Sequence, residues 1–409
     1  MFSSSLKRVI ILERIILHID VNNAFLSWSA LLYLKDNYDL RKKYAVVGGD
    51  EDKRHGIVLA KSPLAKKLGI KTSETLYSAR RKCPNLIVVP PNYKWYSQKS
   101  HELFELLYSY TPDIEIASID ECYLDYTKVK NLYGDVLEFA KKIQNQIYNE
   151  LGFTVNIGIA NNKLCAKMAS DFTKPNKIHT LFSNEIKEKM WPLPIENLFG
   201  IGKSTSSKLR NLNINTIKDL ATTNKDLSRY FKNQASKMIM WANGIDDTLV
   251  KSIQTKRKGI GNSTTTDHNL CYIEEVYPYL EAISDNIATQ LRKEKKYALV
   301  VQVVLKDKYF KSYSHQKKLK NATNTTSVIY ETSKELLKEM WNDEAIRLVG
   351  IRLDNLVENS NYQLSLFEQI KTVENNSKLD ETIDEIKNKY GVNIIKRASL
   401  MENKITKKY

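Results

Sequence analysis

The stretch SIDECYLD, residues 118–125, sets Asp120 and Glu121 side by side between apolar neighbours. DIEIAS (113–118) before the pair and CYLDYT (122–127) after it alternate as half-buried strands do. The spacing predicts a β-hairpin with its tip near Ser118–Glu121. Two adjacent carboxylates repel each other and resist burial. A divalent cation between them removes the repulsion, and an oxygen-rich donor set selects Mg²⁺ or Mn²⁺. Neighbours on a regular strand face opposite ways, so the pair is expected to act together at the tip, where alternation relaxes. A third carboxylate is needed. Asp20 supplies it, at the end of the apolar strand RIILHID (14–20) and just before the polar pair Asn22 and Asn23. Three carboxylates holding two metal ions make a phosphoryl-transfer site.

Around this constellation the chain reads as a multidomain α/β protein. Its 409 residues suffice for several domains. A formal net charge of +16 suits a polyanion, nucleic acid before an acidic membrane surface. Cys83, Cys122, Cys165 and Cys271 are far apart and form no CxxC pair, so they read as buried, reduced thiols. No apolar run approaches spanning length, and the expected location is the cytoplasm. Helical spacing is expected from Phe25 to about Leu34, from Tyr93 to Tyr110 and from Gly134 to Glu150, with a short basic helix in SPLAKKLGI. FTVNIGIA reads as a further strand, and the segment after Trp191 turns to short helices around GIG at 200–202. KSIQTKRK (251–258) carries four basic residues and no acid, as an exposed linker would. YALVVQVVLK and IRLVGIRL then alternate with helical patterns, and the polar tail ends in a helix-then-strand pattern near Met401.

Four motifs in order resemble those of the Y-family DNA polymerases: HIDVNNAF (18–25), SIDECYLD, KLCAKMASDFTKPN (163–176) and LPIENLFGIGKSTSSKLRNLNINTIKDL (193–220). The resemblance runs over nearly the whole chain. It implies a right-hand polymerase with an α+β palm, small fingers, a helical helix-hairpin-helix thumb and an α/β little finger. The implied bounds are an extension at 1–14, palm at 15–26 and 78–185, fingers at 27–77 and thumb at 186–250. A basic linker at 251–258, little finger at 259–357 and tail at 358–409 complete the chain. The implied activity is template-directed, low-fidelity translesion synthesis on primer-template DNA from deoxynucleoside triphosphates. Asp20, Asp120 and Glu121 would ligate two Mg²⁺ ions, with the Val21 carbonyl as a further ligand. Phe25 aligns with the steric gate that leaves no room for a ribose 2′-hydroxyl. Lys174 aligns with a lysine that contacts the triphosphate.

One departure stands out. The family's fingers helix presents a Tyr and an Arg three residues apart, and here those positions are Pro63 and Lys66. Proline offers no hydroxyl, and lysine lacks the bidentate fork. Lys66 remains a candidate phosphate contact, with Lys61 or Ser62 as possible compensators. In the thumb, Gly200 and Gly202 would let their backbone N–H groups approach a DNA phosphate, with Lys203 adding charge. In the little finger, residues 306–320 carry six lysines and one acid. With Arg347 and Arg352 they are expected to grip DNA in a salt-dependent way. QLSLFE (363–368) resembles the bacterial sliding-clamp peptide, with Gln363 for hydrogen bonding and Leu364, Ser365, Leu366 and Phe367 following. A monomer is expected, without a separate exonuclease constellation. Two rival readings are a catalytically inactive DNA-binding scaffold and, from GGDE at 48–51, a palm-type nucleotidyl cyclase.

Overall fold

The computed structural model describes residues 14–34, 38–51, 56–252, 256–359, 370–391 and 394–395. They fall into two compact units that divide between Ser252 and Lys256. The strands of the first are β1 (Ile16–Val21), β2 (Ala45–Gly48), β3 (Val58–Lys61), β4 (Ile87–Val89), β5 (Ile114–Ile116), β6 (Glu121–Asp125), β7 (Val155–Ala160) and β8 (Ile178–Leu181). One sheet has the order β5-β6-β1-β7-β8, and a second, smaller one has the order β3-β2-β4.

β1 lies at the centre of the larger sheet, antiparallel to both neighbours. All six of its residues are buried, because helices cover both faces. Leu17, Ile19 and Val21 join the core that includes Tyr96, Leu103 and Leu107 of helix Tyr93–Tyr108 and Phe139 and Ile143 of helix Val136–Gln146. Ile16, on the opposite face, joins Ala166 and Ala169 of helix Lys163–Ser170. Each such fully buried aliphatic side chain contributes roughly 1.5–3 kcal/mol. The alternation of β1 therefore sends His18 and Asp20 toward helix Lys163–Ser170. That helix comes unusually close at β7: a Cβ on Gly158 would lie 2.0 Å from the carbonyl oxygen of Ala166.

The hairpin differs from its expected form in one respect. β5 and β6 do pair antiparallel, but only Asp120 sits in the turn. Glu121 opens β6, where it is the register partner of Asp20. The ladder through β1 captures the strand one residue earlier than the alternation of the hairpin alone suggests.

Residues 186–250 form short helices, among them Lys203–Asn211, Ile217–Ala221 and Gln234–Ala242. Thr216 and Asp219 make a capping box at the start of the second. The second unit holds β9 (Gly259–Leu270), β10 (Tyr297–Asp307), β11 (Ser312–Thr323) and β12 (Ile346–Val357). They form an antiparallel sheet in the order β11-β10-β12-β9. Helices Tyr277–Lys293 and Thr326–Met340 share its core with Val301, Val303, Leu305, Val349, Ile351 and Leu353. The opposite face of the sheet presents polar residues such as Gln302, Gln316 and Arg352 in one row. A last helix, Ile370–Tyr390, covers the expected terminal helix and begins before it. The strand expected near Met401 and the QLSLFE peptide lie outside the described residues. Cys83, Cys122 and Cys165 are buried thiols, but Cys271 is exposed, contrary to expectation. Among the described residues no helix is long and apolar enough to cross a membrane.

Candidate active site

Asp20 and Glu121 meet across the β1–β6 ladder, and Asp120 stands in the adjoining turn. The Val21 N–H donates to the Asp120 carbonyl at 3.0 Å, tying the turn to the end of β1. The Asp120 carboxylate accepts from the Ser118 hydroxyl at 2.6 Å. Sequence spacing missed the residue between the other two carboxylates. Lys167 Nζ donates to Asp20 Oδ2 at 3.2 Å and to Glu121 Oε1 at 2.9 Å. Lys174 Nζ donates to the other oxygen of Asp20 at 3.0 Å and pairs with Asp171 at 2.8 Å. Among the described residues no three His, Cys, Asp or Glu side chains are gathered closely enough to hold a metal. Cationic charge is instead supplied by the two ammonium groups.

The charges are unevenly matched. Burial pushes the Asp20 carboxyl up to about 6, although Lys174 and Lys167 both pull it down. His18 and then Lys167 hold Glu121 well below the usual carboxylate range. Burial works against the charge of Lys167, but Asp20, Glu121 and Asp171 outweigh it and hold the ammonium above its ordinary value. His18 is itself fully buried, with Nε2 3.5 Å from Glu121 Oε2 and Nδ1 2.8 Å from the Ser170 hydroxyl. Burial lowers the pKa of its ring. A lysine on the most buried helix of the first unit was the available signal for Lys167. Its neighbours Leu164, Cys165, Ala166 and Met168 are all buried too, so the lysine needs anionic partners there.

Asn22 and Asn156 hold the lysine loop in place. Asn22 Oδ1 accepts from the Asn176 N–H at 2.8 Å, and its Nδ2 donates to Asn156 Oδ1 at 3.0 Å. Asn156 Nδ2 donates to the carbonyls of Ser170 and Thr173 at 2.9 and 2.7 Å. Asn23, at φ 53°, starts helix Ala24–Tyr33 from the left-handed region that Asn tolerates. Its Nδ2 donates to the Lys61 carbonyl at 2.6 Å, joining the turn after Asp20 to the smaller sheet. Two residues on, the half-buried Phe25 ring stacks on Tyr96 at 4.7 Å and 12°. Tyr93 meets the same ring edge-on at 6.1 Å. These two contacts hold the ring in one orientation.

Beyond β3, Pro63 occupies the first turn of helix Pro63–Lys67, and Lys66 is exposed. Ser62 offers no compensation: it is fully buried, and its Oγ accepts from the N–H groups of Ala65 and Ala45. Lys61 Nζ donates to Thr72 at 2.8 Å, and burial followed by the nearby Lys66 charge lowers its pKa. In GGDE, Glu51 is taken by a bidentate pair with Arg80, so it serves the turn.

Gly200 has φ +91°, and a Cβ there would come within 2.6 Å of Trp241. Gly202 is the N-cap of helix Lys203–Asn211 and has open space around it. Gly200, Gly202 and Lys203 are all exposed. In the second unit Arg347 stacks over Phe310 at 4.9 Å, and Arg352 makes a bidentate pair with Asp354 at 2.7 and 2.9 Å.

A carboxylate-bearing sheet, a glycine-cornered helical segment and a separate α/β unit are the architecture of a right-hand polymerase. Residues 19–171 match the model of the impB/mucB/samB family, 183–214 its HHH motif and 257–366 its C-terminal domain. A DNA polymerase IV from Clostridium acetobutylicum is 45% identical over 96% of this chain and 99% of its own length. One from Acetivibrio thermocellus is 34% identical over the same shares of the two chains. The solved structure of a Y-family DNA polymerase chimera of Dbh and Dpo4 superposes with a TM-score of 0.75 at 25% identity. It covers 84% of this chain and 100% of that one. The chain belongs to the Y family of DNA polymerases, in the group similar to DNA polymerase IV. Its activity is DNA-directed DNA synthesis across lesions, on primer-template DNA with deoxynucleoside triphosphates.

Proposed function

We propose that Asp20, Asp120 and Glu121, with the Val21 carbonyl, hold two Mg²⁺ ions, and that Mn²⁺ can replace them. The observation that carries this is the register pairing of Asp20 with Glu121, beside a turn that brings in Asp120. The donor chemistry fits, being all oxygens as hard divalent cations require, and the ions would draw the three carboxylates together in place of the Lys167 and Lys174 ammoniums, with burial leaving Asp20 only partly compensated. When bound, such ions lower the pKa of a primer hydroxyl and steady the departing phosphates. Lys174, held by Asp20 and Asp171, is placed to follow the triphosphate as a compact cation, and Lys66 adds a weaker contact. Phe25, braced by Tyr96 and Tyr93, excludes a ribose 2′-hydroxyl by bulk.

In this reading residues 15–26 and 78–185 are the palm, 27–77 the fingers, 186–250 the thumb and 259–357 the little finger. Gly200, Gly202 and Lys203 bind a DNA phosphate, and Arg347 and Arg352 bind others after their present partners let go. The peptide 363–368, at the start of the tail, takes the bacterial sliding clamp. The protein works as a monomer in the cytoplasm. Primer extension with Mg²⁺ and deoxynucleotides tests the core of this reading. Wild-type protein extends the primer by template, and Asp120→Ala abolishes extension without loss of fold; extension by the variant at the wild-type rate would refute the site.

A further inference from the structure

Between β10 and β11 the chain turns through Lys308–Lys311, with Tyr309 71% and Phe310 64% exposed. Two large rings left in water at a turn usually fold down onto the nearest apolar surface. Here the turn is locked against that. Asp307, 2% exposed, accepts at Oδ1 from the N–H groups of Tyr309 and Lys311 at 2.8 and 2.9 Å. Its Oδ2 accepts from the Tyr313 hydroxyl at 3.0 Å. Backbone bonds from Phe310 to Asp307 and from Lys308 to Ala345 close the turn.

Cations surround the rings. Lys308 lies 4.9 Å over Tyr309, Arg347 4.9 Å over Phe310 and Lys311 5.0 Å over Tyr313. The acids at the turn are Asp307, consumed by the lock, and Glu344, 3.9 Å from Lys308. Exposed rings on a fixed turn with a cationic rim match a ligand that has both π-faces and phosphates. Duplex bases are already stacked on each other and present no free face, whereas unpaired bases do.

We propose that the Lys308–Lys311 turn is a platform for single-stranded nucleic acid: unpaired bases stack on Tyr309 and Phe310, and Lys308, Lys311 and Arg347 take the flanking phosphates. The source of the single strand, an unpaired stretch of template, rests on the polymerase reading; the platform itself does not. Binding should tolerate any sequence, since every base has a face to stack.

The test measures fluorescence anisotropy of a labelled oligo-dT and of a labelled blunt duplex with the full chain. Tyr309→Ala should weaken oligo-dT binding roughly 5–150-fold and leave duplex affinity unchanged. Tyr309→Trp should restore it, and the new tryptophan's emission should be quenched by oligo-dT but not by duplex. Equal weakening for both DNAs, unchanged oligo-dT affinity, or an unquenched tryptophan would each overturn the platform. So would loss in Tyr309→Ala of binding to phosphatidylserine vesicles while oligo-dT binding stays intact, which would assign the turn to a lipid surface. Failure of the wild type in primer extension would sink the polymerase reading and leave these binding outcomes as decisive as before.

Discussion

Each unit buries a cluster of opposite charges, and the two clusters are built differently. In the second unit Arg292, 7% exposed, forks onto Asp384 at 2.6 Å and reaches Asp380 at 3.2 Å. Asp380 also accepts from the Thr326 N–H, and Asp384 from the Thr289 hydroxyl. Lys387 pairs with Asp285 at 2.8 Å, both nearly buried. These bonds dock the last helix on helix Tyr277–Lys293, with two cations set against three carboxylates. In the first unit two ammoniums likewise face Asp20, Glu121 and Asp171, but each is a compact charge without a bidentate fork, and Asp20 is still pushed up to about 6. A cluster held by a planar guanidinium fork acts as a fastener; one held by compact ammoniums presents point charges that other cations can replace.

Removing the cation from each cluster breaks or sharpens that comparison most. Arg292→Met strands two buried carboxylates, and about 3–5 kcal/mol of stability should be lost. Hydrogen exchange should show the last helix losing protection, with no recovery on adding Mg²⁺. Lys167→Met should cost a comparable amount in a chelating buffer, and here Mg²⁺ should restore much of it. An identical Mg²⁺ response in the two variants would erase the distinction.

A smaller effect should appear in the pH dependence of the palm cluster alone. The Asp20 carboxyl is raised from 3.8 to about 6, so the folded chain keeps a proton that the unfolded chain has released. Its contribution to stability is complete below the lower value and is lost as pH rises through the upper one. Urea unfolding in chelating buffer should show that decline, and Asp20→Asn should flatten it. Because a cation must displace the same proton, Mg²⁺ affinity should fall as pH drops below about 6.

The walls of the site should respond less than its charges. Phe25→Ala removes a ring fixed by Tyr96, and ribonucleotide incorporation relative to deoxynucleotide should rise roughly 10–100-fold. Steady-state insertion kinetics measure it, and unchanged discrimination would remove the gate assignment. Least of all, Pro63→Tyr with Lys66→Arg should lower the nucleotide KM by a few-fold, since a hydroxyl and a guanidinium fork add contacts that the buried Ser62 does not supply. A KM that does not fall would show that the fingers departure is already compensated elsewhere.

Much of the fold was legible because its signals are local. The apolar run in RIILHID marks β1, and the carboxylates of SIDECYLD mark the hairpin end. GIG marks the corner where Gly200 takes a positive φ. These depend on residues a few positions apart, and residue order alone carries them. The placement of Glu121 was not legible, because the ladder with β1, not the hairpin's own alternation, decides where β6 begins. Lys167 was invisible as a partner of Asp20 because 147 positions separate them. The close approach of its helix at Gly158 and the face of β1 together bring the two into contact. The docking of the last helix through Arg292 was equally hidden, since its acids follow no pattern that names a partner 88 and 92 residues away. By itself the sequence determined β1, the hairpin around SIDECYLD, the GIG turn and the basic excess, and it singled out the three carboxylates as candidates, all from local pattern and residue chemistry. Only the tertiary structure decided which charges stand against them, because sheet register and the packing distance between helix and sheet choose those partners.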